Sequence, residues 1–269
     1  MTNPTRSTVH STIQWLIQTD DAHPDLARGI VPAGLLNAAE AARCAAIKTA
    51  KRRRDWLLGR WTAKRLAQTL IAPGAPLDTL IIAKRPDGSP YLAGCEHAIS
   101  LSYSHADGVA FGAAVRADRL LGADIERVAP RSDRFVADYF TAAEQALVAA
   151  APPSMHAAHR TIIWSAKEAA LKALRYGLTV DTRAVACHIA PFDALPTVWT
   201  PFAVTCDPRY LGDAVPDLRG WWRGLISPHP AVLALVAAAD APNFDLTPSV
   251  YRLADLPALL MDDQDSFRG

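Results

Sequence analysis

Residues 155–174 form a segment that is patterned like a buried helix and yet carries charged side chains. Its small and apolar residues recur at the spacing that places them along one helical stripe. Glu168 and Lys172 are four residues apart and share a face of that helix, whereas Lys167 points elsewhere. On an arbitrary helix, Glu168 and Lys172 would form a surface ion pair that contributes a few tenths of a kcal/mol. The pair gains a further role only if a second acidic cluster lies beside the helix.

The rest of the chain predicts an α+β fold. Residues 99–105 alternate strictly between apolar and polar, and a three-residue turn separates them from residues 109–115, which predicts a hairpin. Helical periodicity is found in residues 35–71, where two helices are expected, and a capping box begins a short helix at Thr141. The other predicted strands are residues 11–17, 80–82, 120–126, 184–189, 201–206, 220–226 and 231–238.

An internal echo suggests that the chain consists of two similar halves. Residues 57–63, Leu-Leu-Gly-Arg-Trp-Thr-Ala, resemble residues 163–169 in pattern, with small residues at matching places. We therefore expect two α+β halves, residues 1–122 and residues 123–269, each with a small, mostly antiparallel sheet and helices. A pseudo-twofold would relate the halves and place the active site at the seam between them. Because such a duplication supplies the seam within one chain, a monomer is expected.

Composition excludes several classes of protein. The 269 residues carry a formal net charge of +1, so no bulk attraction to nucleic acid or to an anionic membrane is expected. Hydrophobic residues make up 50% of the chain, which is typical of a globular protein with a substantial core. The four cysteines are far apart and show no metal-binding spacing, and no apolar run is long enough to cross a bilayer. We therefore expect a cytoplasmic protein.

A pair of carboxylates lies at the end of a predicted strand. Asp124 and Glu126 flank an isoleucine, so the period of two puts both carboxylates on one face. Alone, such a pair is typical of an acidic strand end at the surface. If residues 155–174 pack beside this strand, however, Glu168 joins the pair, and three hard oxygen ligands suit Mg²⁺ better than zinc.

Basic residues offer candidate phosphate ligands. Arg52 and Arg60 are eight residues apart on a predicted helix and lie within about 80° of each other, so that two guanidinium groups could grip one phosphate. The alternative is a solvated helix face. Lys84 and Arg85 add positive charge in a predicted turn. The chain has neither a P-loop nor a GxGxxG motif, so a nucleotide would need another kind of cradle.

Ser104 and His105 end one predicted strand. Adjacent residues on a strand point to opposite faces, so the two side chains are poorly placed to act as a nucleophile and its base. Both could hold a phosphate instead. A hydrogen-bonded structural histidine is the alternative.

The candidate residues belong to five short motifs that follow one another along the chain. They are Lys51-Arg52-Arg53 with Gly59-Arg60, Gly88-Ser89-Pro90, Ser102-Tyr103-Ser104-His105, Gly122-Ala123-Asp124-Ile125-Glu126, and Trp164-Ser165-Ala166-Lys167-Glu168 followed by Lys172. In this order they resemble the motifs of the 4′-phosphopantetheinyl transferases, specifically the longer, pseudo-dimeric class related to surfactin synthetase activators and siderophore-pathway transferases. The matches span roughly residues 50–177, and the last two motifs are the most specific.

The resemblance implies an enzyme that transfers 4′-phosphopantetheine from coenzyme A to a serine of an apo carrier protein and releases 3′,5′-ADP. Carried over by position, Asp124, Glu126 and Glu168 would hold Mg²⁺ on the pyrophosphate. Glu168 would also help to deprotonate the acceptor serine, directly or through a water. Lys172 would stabilise charge in the transition state.

The resemblance also implies which residues lie at the phosphates of coenzyme A. The family often has a lysine where this chain has Ser89, so one phosphate contact is either missing or made by Lys84 or Arg85. The implied phosphate ligands are Arg52, Arg60, Lys84, Arg85, Ser104, His105, Lys167 and Lys172.

Two other functions are consistent with parts of the sequence. One is a catalytically inactive adaptor of the same fold that binds a carrier protein or a nucleotide. The other is a nucleic-acid-binding module built on the basic residues 48–54, which the near-neutral net charge disfavours. If the chain is the enzyme, its partner is an acyl or peptidyl carrier domain, and fatty-acid, polyketide and nonribosomal-peptide carriers are all open.

Overall fold

The computed structural model describes residues 13–116, 118–212 and 215–239 together with the backbone of residues 249–250. Its strands are β1 (Gln14–Thr19), β2 (Ile82–Lys84), β3 (Pro90–Leu92), β4 (Ile99–Ala106), β5 (Val109–Arg116), β6 (Leu121–Arg127), β7 (Val185–His188), β8 (Thr200–Cys206), β9 (Leu218–Leu225), β10 (Ala231–Ala238) and β11 (Ser249–Val250). Its helices are α1 (Pro24–Ala27), α2 (Ala38–Ala45), α3 (Ala50–Ile71), α4 (Asp133–Tyr139), α5 (Ala142–Ala150), α6 (His156–Ala173) and α7 (Pro208–Leu211). None of the helices in these described ranges combines the length and the apolarity that crossing a membrane requires.

Two sheets, antiparallel except at one edge, form the centre of the molecule and confirm the predicted α+β fold. The first has the strand order β11–β1–β5–β4, in which β11 runs parallel to β1. The second has the order β6–β10–β9–β8–β7. In each half the first strand pairs with the last strand of a hairpin, β1 with β5 and β6 with β10, an order that is compatible with a pseudo-twofold. Because the pairing of β6 with β10 begins at Leu121, the second sheet begins before the expected boundary between residues 122 and 123.

The two sheets pack face to face, and one long helix covers the outer side of each. Apolar residues from both sheets, among them Phe111, Ile125 and Leu233, form the core between them. Helix α3 lies on the first sheet and α6 on the second. Strands β5 and β10 are therefore covered on both faces, which explains why their sequences read as apolar runs without alternation.

A buried lysine–glutamate pair is repeated in the two halves. Glu40 and Glu144 complete the capping boxes that begin α2 and α5. Glu40 also pairs with Lys64 of α3, and Glu144 pairs with Lys167 of α6. Both lysines are fully buried. The pairs align Trp-Thr-Ala-Lys at 61–64 with Trp-Ser-Ala-Lys at 164–167, so the register expected for the internal echo is wrong by three residues.

The seam is the line along which β4 and β6, the edge strands of the two sheets, lie side by side. Ser102 Oγ joins the two strands by accepting from the Ala123 amide at 2.9 Å, and Ser100 Oγ accepts from the amide of Arg119, just before β6, at 2.8 Å. Gly122 brings α6 directly onto β6. A Cβ at that position would lie 1.8 Å from the main-chain oxygen of an alanine on α6. The helix is thus held against the strand that carries the paired carboxylates.

Candidate active site

Asp124 lies where α6 meets β6, and it is almost completely buried. Its Oδ1 accepts a hydrogen bond from Lys172 Nζ at 2.6 Å, and its Oδ2 accepts one from Ser165 Oγ at 2.8 Å. Lys172 Nζ also lies 3.8 Å from Oε2 of Glu168, one helical turn away. The Glu168–Lys172 pair of α6 therefore lies beside Asp124 at the end of β6. This is the second acidic group that the pair needs in order to be more than a surface ion pair.

Burial, together with neighbouring negative charge, raises the pKa of both glutamates of this site. Burial and the charge of Asp124 raise the pKa of Glu168 to about 7, against the opposing effect of Lys172. Burial and Asp124 also raise the pKa of Glu126. For Lys172, burial alone would lower the pKa, but the charges of Asp124 and Glu168 outweigh it, so that the pKa is raised. At neutral pH the site therefore combines a firmly protonated lysine with a carboxyl group that titrates.

The donor set fits a hard divalent cation. Asp124, Glu126 and Glu168 supply only oxygen, the ligand type that Mg²⁺ prefers. Besides burial, the charges of Asp124 and Glu126 raise the pKa of Glu168, so the three carboxyl groups lie close enough to repel one another and would gain from a bound cation. Within the described ranges, no group of three or more His, Cys, Asp or Glu side chains is already drawn together as a ligand set. Magnesium therefore stays a prediction.

A cavity of about 340 Å³ lies along the seam next to these carboxylates. Strand β4 forms one wall, and Lys172 connects the cavity with Asp124. Five of the predicted phosphate ligands line it. They are Lys84, Arg85, Ser104, His105 and Lys172. The cavity is therefore lined by several cationic groups and would suit a phosphorylated ligand.

A second cavity of about 460 Å³ lies on the other side of His105. His105 lines both cavities, and Glu126 lines only the second. Partial burial lowers the pKa of His105, so its imidazole is neutral at pH 7 and can donate one hydrogen bond. The candidate site thus runs from the cationic cavity past His105 to the carboxylates.

Lys167 does not lie at the cavity, and the prediction that it contacts a phosphate is wrong. Its Nζ donates to the carbonyl oxygens of Thr182 at 3.0 Å and Val185 at 2.6 Å, and lies 2.9 Å from Glu144 Oε2. With its side chain fully buried among these partners, the ammonium group has no access to a ligand. Lys167 instead fastens α6 to the far edge of the second sheet.

The two arginines of α3 do not act together. Arg60 is only 3% exposed, donates to the hydroxyl of Tyr103 at 3.2 Å, and lies 3.7 Å from Oε1 of Glu40. Arg52 is exposed near the beginning of α3 and lines neither cavity. The beginning of α3 is largely exposed and most of its remainder is buried, so two residues on the same side of this helix have different environments. The predicted joint grip of a phosphate is therefore wrong.

Three arginines near the site were not among the predicted residues. Arg119 and Arg175 line the first cavity. Arg175 follows the end of α6 in the left-handed region, with φ 61°, and its Nη2 donates to Asp118 Oδ1 at 3.0 Å. Arg131 donates to Glu126 Oε2 at 2.9 Å. All three lie in connecting segments, where no periodic pattern indicates the direction of a side chain.

Comparison with known proteins finds a family model that matches part of this chain and two distantly similar solved structures. The apo-ACPS structure of Chronobacterium ammoiniagenes is 16% identical, with a TM-score of 0.31 over 40% of this chain and 98% of the other. The holo-[acyl-carrier-protein] synthase of Thermotoga maritima is 19% identical, with a TM-score of 0.29 over 48% and 74%. No curated protein sequence matches. A family model matches residues 120–207, the segment that contains Asp124, Glu126, Glu168 and Lys172. The model describes the 4′-phosphopantetheinyl transferase superfamily, so this segment of the chain is similar to that superfamily.

Proposed function

We propose that the protein transfers the 4′-phosphopantetheine group from coenzyme A to the hydroxyl of a serine in an apo carrier protein and releases 3′,5′-ADP. One observation supports this most directly. Lys172 contacts the carboxylate of Asp124 and also lines the cationic cavity, so it joins the acidic cluster to the place where phosphates would bind. Transfer of a phosphate-linked group needs this combination of alignment and charge neutralisation more than it needs covalent chemistry.

In this proposal the cationic cavity binds the nucleotide end of coenzyme A. Lys84, Arg85, Arg119 and Arg175 surround it, and Ser104 offers a hydroxyl at the seam. His105, where the two cavities meet, would donate a hydrogen bond to the pyrophosphate. These groups would hold the reacting phosphorus beside Lys172.

Glu168 and Lys172 would carry the proton transfer and the charge stabilisation. In the metal-free site the pKa of Glu168 is about 7, and its carboxylate would accept the proton of the attacking serine, directly or through a water. Lys172 stays protonated and would stabilise the negative charge that develops on the phosphate oxygens. Mg²⁺, held by Asp124, Glu126 and Glu168 when bound, would add further charge neutralisation on the pyrophosphate.

Mass spectrometry of carrier proteins tests this proposed transfer. A panel of apo acyl and peptidyl carrier domains is incubated with the protein, coenzyme A and Mg²⁺, and intact mass is measured. A gain of one phosphopantetheine on at least one carrier is expected, together with release of 3′,5′-ADP. No gain on any carrier would overturn the proposal, and retained coenzyme A binding would then favour the inactive adaptor.

A pair of variants ties the activity to the site. Asp124→Asn removes the charge that Lys172 contacts and should slow transfer by more than about 100-fold while the protein stays folded. Asp138→Asn removes an exposed carboxylate outside the site and should leave transfer unchanged. Equal activity in the two variants would contradict the assignment of Asp124.

A further inference from the structure

Arg131 lies in the loop between β6 and α4, and contacts fix both its guanidinium group and its main-chain carbonyl group. Its guanidinium group lies over the rings of Phe135, at 4.9 Å, and Trp164, at 5.6 Å. Its carbonyl oxygen accepts a hydrogen bond from Arg160, whose other contact is Asp133 at 2.6 Å. Only 19% of the Arg131 side chain is exposed. A long, flexible side chain has thus been given one orientation.

The fixed guanidinium group is directed at one carboxylate oxygen. Arg131 Nη2 donates to Oε2 of Glu126 at 2.9 Å, whereas no hydrogen bond to Oε1 is found among the described residues. Glu126 is 28% exposed, so without this bond its side chain would have several rotamers open to it. The bond selects one of them and leaves the second oxygen to another partner. A carboxylate held in this way is pre-organised to bind a cation.

We propose that Arg131 is a positioning residue that orients Glu126 as a ligand for the divalent cation of this site. The inference rests on the proposed function, because that function supplies the cation. Competition between Arg131 and the cation for Glu126 is the opposite possibility, and it would require Arg131 to leave. The two aromatic rings and the fixed carbonyl group oppose such a movement, which favours orientation over competition.

The experiment measures Mn²⁺ binding by electron paramagnetic resonance, with and without coenzyme A and in the absence of a carrier protein. Arg131→Met keeps a long side chain on the two rings and removes the hydrogen bond. It should bind Mn²⁺ about 10- to 100-fold more weakly than the wild type, the range typical of lost outer-shell partners. Arg131→Lys, which keeps the charge and loses the planar fork, should lie between the two. Arg134→Met is the matched control, since Arg134 is 90% exposed and pairs only with Asp138 in the described part of the chain.

Transfer assays separate orientation of a ligand from a general structural effect. In Arg131→Met, the Mn²⁺ concentration for half-maximal rate should rise by the same factor as the dissociation constant. The rate at saturating Mn²⁺ should change less, and the melting temperature should stay close to that of Arg134→Met.

The possible failures can be told apart. Wild-type transfer combined with unchanged or tighter Mn²⁺ binding in Arg131→Met overturns the role of Arg131 and leaves the proposed function standing. If Arg131→Met does not fold, wild-type Mn²⁺ affinity in Arg131→Lys overturns that role equally. A wild-type protein that neither binds Mn²⁺ nor transfers phosphopantetheine overturns the proposed function and this inference with it.

Discussion

Replacing Glu168 by Gln is expected to raise stability at alkaline pH and to abolish transfer. Burial and the charge of Asp124 raise the pKa of Glu168 from 4.5 to about 7. Between these two values the native state keeps a proton that the unfolded chain has released, so the free energy of unfolding falls as the pH rises. Each pKa unit corresponds to about 1.4 kcal/mol, and the wild type therefore loses about 3 kcal/mol. Glu168→Gln carries no such proton and avoids the loss.

Urea unfolding of both proteins measures this difference, in buffer with EDTA so that no divalent cation binds. The variant should be about as stable as the wild type near pH 4.5 and more stable by up to about 3 kcal/mol near pH 8.5. Asp138→Asn, which changes an exposed carboxylate, should show no comparable dependence on pH. A difference between Glu168→Gln and the wild type that does not change with pH would refute the account of Glu168 as a buried carboxyl group beside other negative charges.

Three further substitutions separate packing from ligand binding. Lys167→Met leaves Glu144 buried without its cation and should lower the free energy of unfolding by about 3–5 kcal/mol in urea, without changing the KM for coenzyme A of the folded protein. Gly122→Ala places a methyl group 1.8 Å from an oxygen of α6 and should reduce both melting temperature and transfer, because the helix must move away from β6. Arg175→Ala should raise the KM for coenzyme A more than Arg52→Ala does, since Arg175 lines the first cavity and Arg52 does not; the reverse order in steady-state kinetics would contradict the location of the nucleotide.

The elements around the site could be predicted because their patterns are regular. Strict alternation identified β4, and the two carboxylates with an apolar residue between them identified the face of β6. The spacing of Glu168 and Lys172 placed both on one side of α6. Their meeting with Asp124 depends on the close approach at Gly122, and no single segment contains that information. The resemblance of the motifs, taken together, supplied it.

Side-chain environments were predicted less well, and Lys167 shows why. The helical spacing alone indicated that Lys167 points away from Glu168, whereas the resemblance suggested a phosphate ligand. The spacing was right, because Lys167 reaches across to Glu144, which lies 23 residues earlier in the chain. Arg131 and Arg175 lie in connecting segments, where the fold decides the direction of a side chain. Only the three-dimensional structure shows that one reaches Glu126 and the other the cavity.

Lys64 and Lys167 occupy equivalent positions in the two halves. Their shared structural role explains why the buried Lys167 lies directly beside Glu168, which is proposed to be catalytic. In both halves a Trp-Thr/Ser-Ala-Lys segment is fastened through its lysine to the capping-box glutamate of a preceding helix. The same alignment places Arg65 where the second half has Glu168, and Thr69 where it has Lys172. Arg65 lies over the ring of Trp61 and bonds to a glutamine on its own helix, so it takes part in packing. The two halves therefore share a buried lysine–glutamate pair that holds the long helix in place. They differ in the residues that follow this lysine on the helix. In the second half these residues lie beside Asp124, and the fully buried Lys167 is what fixes the helix against its sheet while Glu168 and Lys172 reach the seam.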